Sequence, residues 1–218
     1  MINSERTLSK VSSELQYKTF KSGKQVPLTA QKKFKEKFSY FSFNWNAIYP
    51  LPFIVTIETK IREFQYKVLN NIVFTNEKMF KFKMTDSPLC SFCKREVESL
   101  EHLLYCCGVT KTFWEAFCSW LGEFKINSHP FAITEILFGV FDVEDDWIIL
   151  NHLILIAKYY IYACRLKKVN PSLRVYKAKI RAVYQVEIKK SNKAEQINKT
   201  LWEMGELKFL PHFSSDVI

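Results

Sequence analysis

A chain of 218 residues that is 48% hydrophobic and 16% aromatic can bury a sizeable core, so it is not disordered as a whole, and its length suits one large domain or two small ones. It contains only five glycines and no GxGxxG or GxxxxGK run, which argues against a glycine-rich phosphate-binding loop. The net charge of +10 and pI near 9.2 favour a polyanionic partner, nucleic acid or an anionic membrane surface.

Residues 1–36 are polar and lysine-rich, punctuated by Ser22-Gly23-Lys24 and Pro27. The stretch Thr29–Tyr40 reads either as a short helix capped by Thr29 or as part of a mobile arm. Pro50 and Pro52 are expected to break any helix, and Thr56 or Thr59 to start the next one. Ile57, Ile61, Phe64, Val68 and Leu69 then recur at helical spacing, with Lys60, Arg62 and Lys67 toward the other side. Thr75 is placed to cap a second short helix, Asn76–Phe82.

The next stretch, Cys90–Trp114, carries the chemistry. Two residues separate Cys90 from Cys93, eight separate Cys93 from His102, and four separate His102 from Cys107. A CxxC turn bends two thiolates onto one metal, and an imidazole with a further thiolate completes a tetrahedral Cys3His zinc site. With all four positions taken by protein, such a site is structural, because a catalytic zinc keeps a position open for water. Ser99 is placed as a helix cap that would put His102 in a first turn. Inside an unbroken α-helix His102 and Cys106 share a face, while Cys107 lies about 100° further round. A helix ending at Cys106-Cys107-Gly108 would admit Cys107 instead, so both remain open on spacing. The clustering of four of the six cysteines around a histidine, with a polar beginning to the chain, suits a reducing intracellular compartment, nucleus or cytoplasm.

Downstream, Phe113, Trp114, Phe117, Trp120 and Leu121 follow amphipathic spacing and are expected to pack the zinc module onto its neighbours, with Cys118 in the core. His129-Pro130 marks a loop, Thr134–Phe141 is short and apolar, and Asp145-Asp146 suits the positive end of the helix that follows. Trp147–Leu166 is apolar nearly all round; Asn151, His152 and Lys158 interrupt it, so a buried helix is expected and not a membrane span. Asn170-Pro171-Ser172 should stop that helix and cap another running through Val175, Ile180, Val183 and Val186. From Lys158 to Lys199 basic residues dominate, forming either a phosphate-tracking surface or a solvated face. The expected fold is therefore mainly α: a polar, flexible N-terminal arm (1–44), a helical zinc-binding module with a small Cys3His loop (45–125), and a helical region ending in a basic helix and tail (126–218).

With these residues in place, the chain resembles the carboxy-terminal region of the reverse transcriptase of LINE-type (non-LTR) retrotransposons, centred on the zinc-binding domain that follows the polymerase. The resemblance rests on Thr59–Leu69, Thr75-Asn76, Cys90-Ser91-Phe92-Cys93, Glu98–Leu104, Cys107 and Trp114, and extends to Ala157–Tyr162 and Pro171-Ser172-Leu173. In that family the last metal cysteine follows the histidine by four intervening residues and precedes a tryptophan by six, which selects Cys107 over Cys106. The resemblance implies a zinc-stabilised, noncatalytic module that binds RNA or an RNA–DNA junction, with no membrane or small-molecule substrate. Phosphate contacts are expected from Arg62, Lys67, Lys81, Lys83, Lys94 and Arg95, with Arg165, Lys167 and Lys168 adding reach. Base stacking is expected on Phe92. No Tyr/Phe-x-Asp-Asp polymerase motif or endonuclease constellation is present, so neither polymerase nor nuclease activity is expected. The alternative is a structural or protein-interaction domain in which zinc holds the fold and charge keeps it soluble.

Overall fold

The computed structural model describes residues 29–124, 126, 129–141 and 147–189. The expectations placed on residues 1–28, on Asp145-Asp146 and on the tail beyond 189 lie outside these residues. The described chain is helical, with no named strand and one isolated antiparallel bridge, Leu89 to Val97. In chain order the helices are α1 (Thr29–Lys37), α2 (Trp45–Ile48), α3 (Leu51–Val55), α4 (Thr59–Leu69) and α5 (Asn76–Lys81). A π-helical turn (His102–Cys106) follows, then α6 (Gly108–Gly122), α7 (Ile133–Phe138), α8 (Trp147–Lys167) and α9 (Leu173–Lys189).

The long helix α8 is the hub, packing against α3, α4, α9 and the π-helical turn. Its length and hydropathy would suffice to cross a membrane, but 72% of that stretch is buried inside the fold, the place of a core helix. Around it one apolar cluster runs from Ala30 to Val183. Phe138 sits in a nest of rings from Phe34, Phe41, Phe43 and Trp45, which docks α1 onto the body. At the other end Tyr176 meets Phe113, Phe117 and Trp120, and its hydroxyl donates to the Leu153 carbonyl at 2.7 Å. The aromatic stripe of α6 is thus core, as its spacing requires.

Several local expectations are corrected. Pro52 lies in the first turn of α3, where its missing N–H costs nothing, so the two prolines admit a short helix. Thr75 makes no capping bond to α5; its buried Oγ1 has no partner, and the N–H of Asn76 donates instead to the Glu98 carboxylate at 2.9 Å. Helix α9 does run through Val175, Ile180, Val183 and Val186 as expected; its buried face is Tyr176, Ile180 and Val183, while Val175 is exposed.

Lys158 sits fully buried on α8, where its Nζ donates to Gln65 Oε1 at 2.6 Å and the Leu137 carbonyl at 3.3 Å. Gln65 Nε2 also donates to the Leu137 carbonyl, so these groups tie α4, α7 and α8 together. Burial pushes the Lys158 ammonium down to about 7 from its ordinary 10.5. An unfolded lysine keeps its proton up to about pH 10.5, whereas the folded one releases it near 7. Between those values the unfolded chain binds more protons, so this residue's penalty is complete below pH 7 and fades as pH rises. Urea denaturation should therefore show wild type gaining about 2 kcal/mol relative to Lys158→Met between pH 7 and pH 9. Equal slopes for the two proteins would refute the assignment.

Candidate metal centre

The centre is assembled from a tight hairpin and a widened helical turn. The Leu89–Val97 bridge sets the hairpin, in which Cys90 N–H donates to the Glu96 carbonyl at 2.8 Å and Lys94 N–H to the Cys90 carbonyl at 3.0 Å. Lys94 takes a left-handed conformation (φ 58°), which turns the chain back immediately after Cys93. Phe92 N–H points at Cys90 Sγ from 3.4 Å, a donor suited to a thiolate.

Ser99 caps the following helix as its position requires, its Oγ accepting the His102 N–H at 3.1 Å. The helix then widens. The Cys107 N–H bonds to the His102 carbonyl at 2.9 Å, closing a five-residue π step. That step brings the residue five positions on round over the first, so Cys107 shares the face of His102 while Cys106 turns outward and is exposed. The choice between the two cysteines is thus made by a π-helical turn, which resolves the conflict that α-helical spacing leaves.

The ligand atoms of Cys90, Cys93, His102 and Cys107 all lie within 4.8 Å of one another. Cys90 Sγ and Cys107 Sγ are 3.8 Å apart, and Cys93 Sγ is 3.4 Å from His102 Nε2. Zinc bonds of about 2.3 Å to sulfur and about 2.0 Å to nitrogen require tetrahedral edges of about 3.8 Å and about 3.5 Å. The donor set and its spacing fit zinc, and a separation of 3.8 Å is no disulfide. Burial pushes the Cys90 thiol up to about 12, so a cation is needed to hold it as thiolate. Cys93 is also raised by burial, but the N–H groups of Glu96 and Arg95 and the His102 ring outweigh that and bring it down to about 6. With four protein donors and no open position, the arrangement can hold a fold together and offers no place for substrate.

Two carboxylates support the centre. Glu96 Oε2 lies 3.3 Å from His102 Nδ1, which keeps the ring proton on Nδ1 and directs the Nε2 lone pair toward the metal position. Glu96→Ala should weaken zinc about tenfold, read by competition with a chromogenic chelator. An unchanged affinity would show that the ring needs no such orientation.

The second, Glu98, is fully buried. Its Oε2 accepts the N–H of Ser91, between the first two ligands, at 2.6 Å; its Oε1 accepts the N–H of Asn76 and Arg165 Nε, each at 2.9 Å. Arg165 also donates to Asn76 Oδ1 at 2.8 Å, and Asn76 Nδ2 donates to the Leu89 carbonyl at 2.6 Å. Metal hairpin, α5 and α8 are pinned together at this one carboxylate.

The residues expected to contact phosphates stand in different surroundings. Arg165 is buried and held by Glu98 and Asn76, so it does not face solvent. Arg62 is half-buried, with Nε on the Thr56 carbonyl at 2.6 Å and its guanidinium 5.2 Å from the Phe53 ring, and it braces the start of α4. Lys67 and Lys81 are exposed but pair with Glu63 and Glu77, each at 2.6 Å. Lys83, Lys94, Arg95, Lys167 and Lys168 are exposed. Phe92 is half-buried and packs against the core; the large exposed rings nearest in sequence are Phe80 and Phe82, which helical spacing did not single out.

No curated protein and no solved structure matches the chain. Residues 20–114, which include all four candidate ligands and end at Trp114, match the family model for zinc-binding in reverse transcriptase.

Proposed function

We propose that this chain is a noncatalytic, zinc-stabilised nucleic-acid-binding module from the carboxy-terminal end of a LINE-type reverse transcriptase, taking RNA or an RNA–DNA hybrid. The observation that carries this reading is a closed Cys3His cluster, inside a span matching a reverse transcriptase zinc-binding family, whose hairpin bears the exposed pair Lys94 and Arg95. A metal without an open position supports architecture, and exposed cations on the hairpin it fixes suit phosphates. The free cysteines among the described residues support a reducing intracellular compartment, nucleus or cytoplasm.

Anisotropy titration of the zinc-loaded chain with labelled RNA and RNA–DNA hybrid should show binding that weakens steeply with salt and depends little on sequence. Lys94→Glu with Arg95→Glu should reduce affinity for every nucleic acid tested. Absence of binding at low salt would overturn the proposal. The withdrawal of Arg62 and Arg165 into internal contacts favours a second reading, a structural or protein-interaction domain, under which that charge reversal leaves partners unaffected.

A further inference from the structure

The end of α5 carries a surface that the zinc centre does not explain. Phe80, Phe82 and Met84 are 47%, 65% and 64% exposed, alternating with Lys81 and Lys83. The backbone beneath them is fixed. Lys83 N–H bonds to the Phe80 carbonyl at 3.0 Å and Met84 N–H to the Met79 carbonyl at 2.8 Å, the paired bonds of a Schellman cap. Lys83 occupies the left-handed position of that cap (φ 58°), where glycine is the unstrained residue. Lys94 and Lys168 occupy two of the three other non-glycine left-handed positions among the described residues. Lysines standing where glycine would be easier point to a use for their charge.

Large rings in water are unfavourable unless something covers them, and the lysines between them narrow what that is. Residues 76–95 hold five cations, Lys78, Lys81, Lys83, Lys94 and Arg95, against Glu77 and Asp86. Lys78 is turned inward onto Asn71 and Lys81 rests on Glu77, an exposed pair that exchanges readily for a stronger anion. Flat apolar faces with positive charge between them match a strand that offers unpaired bases and phosphates together. A duplex hides its base faces, and a purely apolar protein partner would leave the lysines unmatched.

We infer that Phe80 and Phe82, with Lys81 and Lys83, form a stacking platform for unpaired bases, so that the module prefers single-stranded nucleic acid to duplex. This rests on the nucleic-acid reading above and specifies which form is bound and where. Phe80 and Phe82 stack on successive bases while Lys83 meets the phosphates.

The inference is tested with the zinc-loaded full chain, a labelled oligouridine of about twelve nucleotides, and a duplex of the same length. Phe80→Leu with Phe82→Leu keeps apolar bulk and removes the rings; circular dichroism and zinc content verify that it folds. The expected result is a loss of at least about tenfold in oligouridine affinity with duplex affinity unchanged, which erases the single-strand preference. Lys83→Gln should weaken both ligands. If wild type binds oligouridine and the double variant binds it equally well, stacking is refuted and the nucleic-acid reading stands. If wild type binds neither ligand, both fall. If the double variant instead abolishes self-association in sedimentation while binding oligouridine normally, the patch is a protein interface and the inference is overturned.

Discussion

Stripping zinc with a chelator, or replacing Cys93 by Ser, should collapse the metal hairpin and lower the melting temperature by about 20 °C or more. The reasoning is energetic. Structural zinc in such sites contributes on the order of 10 kcal/mol of folding free energy, against net domain stabilities of about 5–15 kcal/mol. The loss spreads because Leu103 and Leu104, on the π-helical turn that carries His102, are fully buried, and Trp114 Nε1 donates to the Leu104 carbonyl at 2.7 Å. Releasing the ligands loosens the turn and with it the seating of α6. Cys106→Ser is the discriminating control. Its side chain is exposed, so it should keep one zinc per chain and shift stability by less than about 0.5 kcal/mol. A destabilised Cys106→Ser beside an unaffected Cys107→Ser would reverse the ligand assignment.

What the sequence made legible was what repeats locally. The α4 face formed by Ile61, Phe64, Val68 and Leu69 and the α6 stripe from Phe113 to Leu121 follow from helical period, and both are buried. Cys90, Cys93 and His102 were legible because metal chemistry constrains their spacing. Cys107 was not settled by spacing, since no residue pattern announces that a helix will widen by one residue at His102–Cys106. The family resemblance supplied that choice. Long-range partners were the least visible. Arg165 looked like one more cation in a basic run, and nothing near it marks a carboxylate 67 residues earlier as its partner. Lys158 similarly interrupts an apolar helix without showing that Gln65, 93 residues away, will receive its ammonium. The exposure of Phe80 and Phe82 was hidden for the opposite reason, because large apolar residues are read as core until packing shows otherwise.

Glu98→Ala should cost about 5 kcal/mol while leaving zinc bound at saturation. Removing one partner of a buried ion pair costs about 3–5 kcal/mol, because the other charge stays desolvated and uncompensated. Here that charge is Arg165, whose remaining contacts are Asn76 Oδ1 and the face of the Tyr162 ring. The N–H groups of Asn76 and Ser91 lose their acceptor in the same step, and an orphaned buried donor adds about 1–3 kcal/mol. Reorganisation and water entry trim that sum. Arg165→Met in the Glu98→Ala background should recover about half of the loss, since replacing both charges removes the unpaired cation. Zinc loading should survive in both variants, because Cys90, Cys93, His102 and Cys107 are untouched. What suffers is the attachment of the hairpin to α5 and α8, so protease cleavage within residues 82–89 should accelerate in Glu98→Ala. Additive losses in the double variant would show that Glu98 and Arg165 act independently, and the pinning of the metal hairpin to the central helix would then have to come from the zinc ligands alone.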